Sequence, residues 1–237
     1  MDRIVDFHSH VLPAIDDGSR SVEQSIAMLQ AQAKQGAGHV VATPHFYAQT
    51  DDPKKFLKVR SKAEAALREE MTRHQDLPTL GIGAEVYYFN GISDSDVLSE
   101  LTIEQKRYIL IEMPMSPWTE RMYRDLEGIW IKQGLMPVIA HVDRYIAPFR
   151  TFGIPQRLEE LPVLVQANAS FFLHRSTRSM ALRMLRQGRI HVLGSDCHDL
   201  QNRAPNLGEA VSLIRQKLGQ QALDRIHYYE DEVLNTL

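Results

Sequence analysis

Seven short apolar runs recur along this 237-residue chain, and a polar side chain stands at or just past the end of each. The runs are 4–7 before His8, 39–42 before His45, 80–84 before Glu85 and 108–111 before Glu112, then 137–140 before His141, 163–165 before Asn168 and 190–194 before Asp196. None alternates clearly between apolar and polar, which is the pattern of strands buried on both faces. Helical patterns lie between several of them. Ser21-Val22-Glu23-Gln24 reads as a capping box, with Val22, Ile26, Leu29 and Ala33 following on one face and Gly36 as the C-cap. The spacing predicts a longer, charged helix over 53–74, with Phe56, Ala63, Leu67 and Met71 inward, and further helices over 119–134, 176–188 and 207–218, with Gly219 closing the last. Strand–helix alternation implies a parallel sheet, here closed into a barrel. In such barrels chemistry collects at the C-terminal strand ends, where these polar residues fall.

Composition removes several other classes. No run approaches the roughly 18 apolar residues of a membrane span, and the start lacks the apolar centre of a secretory signal. One cysteine, Cys197, leaves no intrachain disulfide, which suits a reducing cytoplasm. Net charge is -3 with both signs interleaved, so no electrostatic footprint for nucleic acid exists. No repeat, linker or composition shift divides the chain, and a single domain over 1–237 is expected.

His8-Ser9-His10 is the strongest local signal. Alternate residues of an extended segment share a face, so both imidazoles can meet one ion. Asp16-Asp17-Gly18, Thr43-Pro44-His45, Glu85, Glu112, His141 and Ser195-Asp196-Cys197-His198 add further donors. A carboxylate at the end of an apolar strand is costly to desolvate unless a cation neutralises it. One such residue is coincidence; a set at nearly every strand end is a metal site. Imidazole and carboxylate without thiolate suit manganese, iron or zinc. Spacing alone leaves Asp16 and Asp17 as alternatives.

These motifs resemble the polymerase-and-histidinol-phosphatase (PHP) superfamily, whose members have a distorted (β/α)7 barrel around a three-metal site. Phe7-His8-Ser9-His10 with Asp16-Asp17-Gly18, Gly83-Ala84-Glu85-Val86-Tyr87-Tyr88, Val138-Ile139-Ala140-His141-Val142-Asp143-Arg144-Tyr145 and Ser195-Asp196-Cys197-His198 are similar to one branch. That branch is the manganese-dependent bacterial protein tyrosine phosphatases of capsule and exopolysaccharide operons. The resemblance implies a first ion on His8, His10, Glu85 and Asp196, and a second bridged by Glu85 and held by Glu112 and His141. A third falls to Asp17, His45 and His198. It also implies Mn2+, a cytoplasmic setting, and a phosphotyrosine protein as substrate, a bacterial tyrosine autokinase.

Phosphomonoester hydrolysis on such a site uses a metal-held hydroxide as nucleophile. Arg144 and Arg203 would fork the remaining phosphate oxygens. Phe46, Tyr47, Tyr87, Tyr88 and Trp118 are candidates for a phenyl pocket, while Asn168 and Phe171-Phe172 read equally as packing. Cys197 and Arg203 also match the C-x5-R spacing of cysteine-dependent phosphatases, but the intervening residues lack glycine and carry Asp199 where phosphate would sit. Other readings are the histidinol phosphatase branch, which more often has histidine where Asp17 and Glu112 stand, an amidohydrolase, and a non-catalytic metal-binding regulatory module. The charged helix over 53–74 is either a solvated face or an assembly surface, so monomer and homo-oligomer both stand.

Overall fold

The computed structural model describes residues 4–146 and 153–235. It begins β1 (Ile4–Ser9), α1 (Val22–Lys34), β2 (Ala37–Ala42), β3 (His45–Phe46), α2 (Pro53–Met71), β4 (Thr79–Ile82), β5 (Glu85–Tyr87), β6 (Tyr108–Glu112) and α3 (Glu120–Gln133). It continues β7 (Met136–Ile139), α4 (Asp143–Ile146), α5 (Ile154–Glu159), β8 (Leu164–Asn168), α6 (Ala169–Leu173), α7 (Arg178–Arg186), β9 (Val192–Gly194), α8 (Leu207–Leu218) and α9 (Gln220–Asn235). No helix among the described residues is long and apolar enough to cross a membrane.

All strand pairs among the described residues are parallel. Two of the seven expected strands are each cut in two. Thr43-Pro44 separates β2 from β3, and Gly83-Ala84 separates β4 from β5. Proline has no N–H to give, so the ladder crosses the break through other groups. Gly83 N–H donates to the Ala42 carbonyl at 2.9 Å and Glu85 N–H to that of Pro44 at 3.0 Å. With each broken pair taken as one strand, seven positions run around the ring in sequence order. The ring closes through a parallel bridge between Ser9 and Cys197. His10 N–H donates to the Cys197 carbonyl at 2.9 Å there, and Asp196 N–H to that of His8 at 2.7 Å. The expected distorted seven-stranded (β/α) barrel is the observed fold.

Alternation then places the site. Tyr108 and Leu110 of β6 pack with Val5, Phe7, Val41, Val138, Ala140 and Val192, while Ile109 and Ile111 join the separate cluster that includes helix residues. Both faces are apolar, and Glu112 follows Leu110 on its own face at the strand end. The helices largely follow the sequence. Ser21 accepts from Gln24 N–H at 3.3 Å, but Gln24 Oε1 takes the N–H of Arg20 at 3.0 Å, so the reciprocal half of the expected box reaches one residue further back. Gly36, at φ 90, follows the α1 cap Gln35 in the left-handed conformation. Helix α9 was not read from the sequence, although Leu223, Ile226, Glu230 and Val233 are buried at helical spacing.

Behind the seam lies a buried carboxylate, Asp6, 1% exposed. It accepts from Ser195 N–H at 2.8 Å, Ser195 Oγ–H at 2.5 Å, Gln32 Nε2 at 2.7 Å and His8 N–H at 3.2 Å. These bonds tie β1 and α1 to the segment after β9. Asp6→Ala strands several buried donors at once, each worth on the order of 1–3 kcal/mol. Urea unfolding should show a loss of about 3 kcal/mol or more; a loss below about 1 kcal/mol would contradict this role.

Candidate metal centre

The nine side chains read from the sequence as ligands converge at the mouth of the barrel, around Glu85. Its Oε2 stands 3.1 Å from His8 Nε2, 3.4 Å from His10 Nε2 and 2.9 Å from His45 Nδ1, and its Oε1 is 2.8 Å from His141 Nε2. His141 Nε2 also reaches Glu112 Oε1 at 3.4 Å. Asp196 Oδ1 lies 3.7 Å from His8 Nε2 and 3.5 Å from His10 Nε2. On the outer side, Asp17 Oδ1 faces His45 Nε2 at 3.4 Å and His198 Nε2 at 3.3 Å. Three groups have the spacing to share an ion: His8 with His10 and Glu85; His45 with Glu85 and Glu112; and His10 with Asp17, His45 and His198.

Local structure aims these donors. His8 Nδ1 faces Gln166 Oε1 at 3.3 Å, His10 Nδ1 faces Asp16 Oδ2 at 2.8 Å, and His198 Nδ1 faces the Asp196 carbonyl at 3.0 Å. Each contact turns Nε2 inward as the free donor, the usual outer support of a metal-binding histidine. Asp16 is thereby distinguished from Asp17: it orients His10, receives Gly18 N–H at 2.9 Å, and only Asp17 faces the outer imidazoles. Gln166 Oε1 also accepts from His141 N–H at 2.5 Å, and its amide donates to Asn168, whose Nδ2 donates to Asp196 Oδ2 at 3.0 Å. Gln166 was not anticipated, though a glutamine two residues before Asn168 on an apolar strand was a visible signal. His141 at φ 31 and Asp196 at φ 53 occupy the left-handed region, a strain that aims both side chains. Gly194 makes room for His8 and Gln166: a Cβ there would lie 2.6 Å from His8 Cβ and 2.8 Å from Gln166 Nε2.

Electrostatics match a cation site. Burial works against charge on Glu85, yet His8, His10, His141 and His45 outweigh it and hold the carboxyl well below the usual carboxylate range. Burial likewise opposes charge on His10 and His141, but Asp16 and Glu85 push His10 up to about 10, and Glu112 and Glu85 push His141 up to about 9. The field that would protonate these rings is one that attracts divalent cations. His45 Nδ1, Glu85 Oε2, His141 Nδ1 and His198 Nε2 are buried with no well-formed hydrogen bond. Two donors about 2.1 Å from one ion stand roughly 3.0–3.5 Å apart, and His8 Nε2 and His10 Nε2 are separated by 3.2 Å. The donor set fits divalent metal.

Arg144 and Arg203 meet on Asp196, at 2.5 Å from Oδ2 and 2.6 Å from Oδ1, with their side chains about one-third exposed. Cys197 points the other way, its Sγ 3.2 Å from Ser9 Oγ, and burial beside Asp6 pushes the thiol up to about 12. Its spacing to Arg203 therefore carries no thiolate chemistry. Among the aromatics, Phe46, Phe171 and Phe172 are core, and Tyr88 is buried with its hydroxyl on Asp125 at 2.6 Å. Trp118 packs on Tyr145 and Tyr123. Tyr47 and Tyr87 remain beside the centre.

The family model for capsular polysaccharide synthesis, CpsB/CapC, matches residues 4–234. Tyrosine-protein phosphatase CpsB of Streptococcus pneumoniae is 30% identical over 231 residues, covering 91% of each chain. Tyrosine-protein phosphatase YwqE of Bacillus subtilis is 25% identical over 92% of this chain and 86% of that one. A solved structure from work on YwqE of B. subtilis and CpsB of S. pneumoniae, described as unique metal-dependent tyrosine phosphatases, superposes with a TM-score of 0.86. It is 23% identical and covers 99% of this chain and 96% of its own. Histidinol phosphate phosphatase of Lactococcus lactis, complexed with zinc, L-histidinol and phosphate, superposes at 0.58 with 13% identity, over 93% and 94% of the two chains. At these identities both structures establish the fold alone.

The raised histidines set a pH dependence of metal uptake. Ligation needs neutral imidazole, and in the metal-free protein His10 and His141 hold their protons up to about 10 and about 9. Manganese loading at neutral pH should therefore release protons, and apparent affinity should climb as pH rises toward about 9. Calorimetry in buffers of different ionisation enthalpy reads both. Proton-neutral binding with affinity flat above neutrality would contradict the arrangement.

Proposed function

The chain belongs to the CpsB/CapC capsular polysaccharide synthesis family, and from that premise we propose that it is a metal-dependent protein-tyrosine phosphatase. The observation that carries the reading is the convergence of nine imidazoles and carboxylates with two arginines on one barrel mouth. His8, His10, Glu85 and Asp196 are assigned to one ion, Glu85, Glu112 and His141 to a second, and Asp17, His45 and His198 to a third. The resident metal is proposed as manganese. Iron and zinc fit the same donors.

Bound there, divalent ions supply Lewis-acid polarisation of the phosphoryl oxygens and lower the pKa of water. The chain's own residues do the rest. Arg144 and Arg203 fork the phosphate oxygens, with Asp196 fixing both guanidiniums from behind. Burial of Glu85, His8, His10 and His141 excludes bulk water and strengthens each electrostatic contact. A tyrosinate leaving group, pKa about 10, needs less protonation than an alkoxide. Ser195 is tied to Asp6 and Cys197 faces Ser9, so neither supplies a nucleophile, and water attacks. The substrate is proposed as the phosphotyrosine segment of a bacterial tyrosine autokinase, met in the cytoplasm.

Turnover of a phosphotyrosine peptide should vanish with chelator and return with manganese. Cys197→Ser should keep most of that activity while Asp196→Ala loses it, and Arg203→Ala should lose about 2–4 kcal/mol of transition-state binding. A metal-replete Cys197→Ser without activity, or full turnover by verified metal-free protein, would overturn the proposal.

A further inference from the structure

Strand alternation carries the geometry of the centre one pleat outward. β3 and β5 pair in parallel register, His45 opposite Glu85 and Phe46 opposite Val86. The next residues along are Tyr47 and Tyr87, which the period of two returns to the His45–Glu85 face. Their ring centroids are 5.7 Å apart, and the Tyr47 ring stands 5.4 Å from that of His45. Phe46 and Tyr88 fall on the opposite face and are buried. The pair at the mouth is thus set by register.

Tyr47 is held in place while the residue stays 37% exposed. Its N–H donates to Asp51 Oδ2 at 2.7 Å, and its carbonyl accepts from the N–H groups of Thr50 at 2.9 Å and Asp51 at 2.8 Å. The turn leads directly into α2, capped by Asp52. An exposed aromatic on a pinned turn is pre-organised, so little ordering is left to oppose ligand binding.

We propose that Tyr47 and Tyr87 form an aromatic shelf for the phenyl ring of the substrate, making this site selective for aryl over alkyl phosphate monoesters. The inference rests on the phosphatase reading and adds the residues that would confer its selectivity. A phosphoryl group held by Arg144 and Arg203 must carry its ester group outward, because Glu85, His8 and His141 behind it are buried. The ring of an aryl ester would then emerge toward the tyrosines, whose own centroid separation of 5.7 Å lies in the roughly 4.5–7 Å range of offset and edge-to-face aromatic pairs. An alkyl ester has no ring to place against them.

The test uses phenylphosphonate and methylphosphonate, which share a headgroup and are not hydrolysed, as inhibitors of p-nitrophenyl phosphate turnover by the manganese-loaded protein. Wild type should bind the phenyl compound about tenfold more tightly. Tyr47→Ala and Tyr87→Ala should each move that ratio toward one, while Tyr47→Phe and Tyr87→Phe retain it. Because the readout is a ratio within one variant, metal loss or partial unfolding that weakens both inhibitors alike cancels. A ratio unchanged in both alanine variants, or absent in wild type, overturns the shelf. If the loaded wild type turns over no phosphate ester, the phosphatase reading fails separately, and calorimetry of the two phosphonates then reads the same ratio.

Discussion

The buried carboxylate of Glu85, set among four imidazoles, is the interaction on which the rest of this structure depends. At 1% exposure it cannot keep its charge without cationic or metal partners. Its two oxygens face His8, His10, His45 and His141, drawn from three separate strand ends, with His8 and His10 sharing that of β1. His10 is oriented in turn by Asp16 and His8 by Gln166, while His141 also meets Glu112. Removing any one support leaves a buried polar group unmatched, which couples barrel closure to the integrity of the centre.

That coupling explains where the fold departs from ideal geometry. His141 and Asp196 both leave regular strand geometry for the left-handed region, at the points where their strands give way to the mouth. The seam between β1 and β9 has its bridge at Ser9 and Cys197, between two pairs of proposed ligands, with Asp6 tying the strands from behind. Glycine at 18 and at 194 allows the backbone to press against His10 and His8, where any side chain would collide. Strain and close approach are concentrated where the proposed ligands need aiming.

Much of this was legible in the sequence because its periodicities are strong. Apolar runs without alternation marked strands buried on both faces, and the polar residue past each run marked the mouth. Less legible was what acts through contacts between distant segments. Asp6 was absorbed into an apolar run, and nothing local said that it would meet Ser195 and Gln32. Gln166 stood out as a glutamine on an apolar strand, but its role appears only once β8 lies beside β7 and its side chain meets both His8 and the His141 backbone. The choice of Asp17 over Asp16 rested on family resemblance, and the hydrogen bond that Asp16 accepts from His10 gives it a physical reason. Phe46 and Tyr88 were grouped with Tyr47 and Tyr87 by position alone; the pleat divides them. Helix α9 went unread although its buried positions follow helical spacing.

The most direct test of the account is the number of divalent ions retained per chain, by elemental analysis after manganese loading, in wild type and in Glu85→Gln. Glu85 belongs to two of the three donor groups, and the group of His10, Asp17, His45 and His198 does not include it. The account predicts about three ions in wild type and about one in the variant. A wild type that holds one ion, or a Glu85→Gln protein that keeps the full complement, would contradict it.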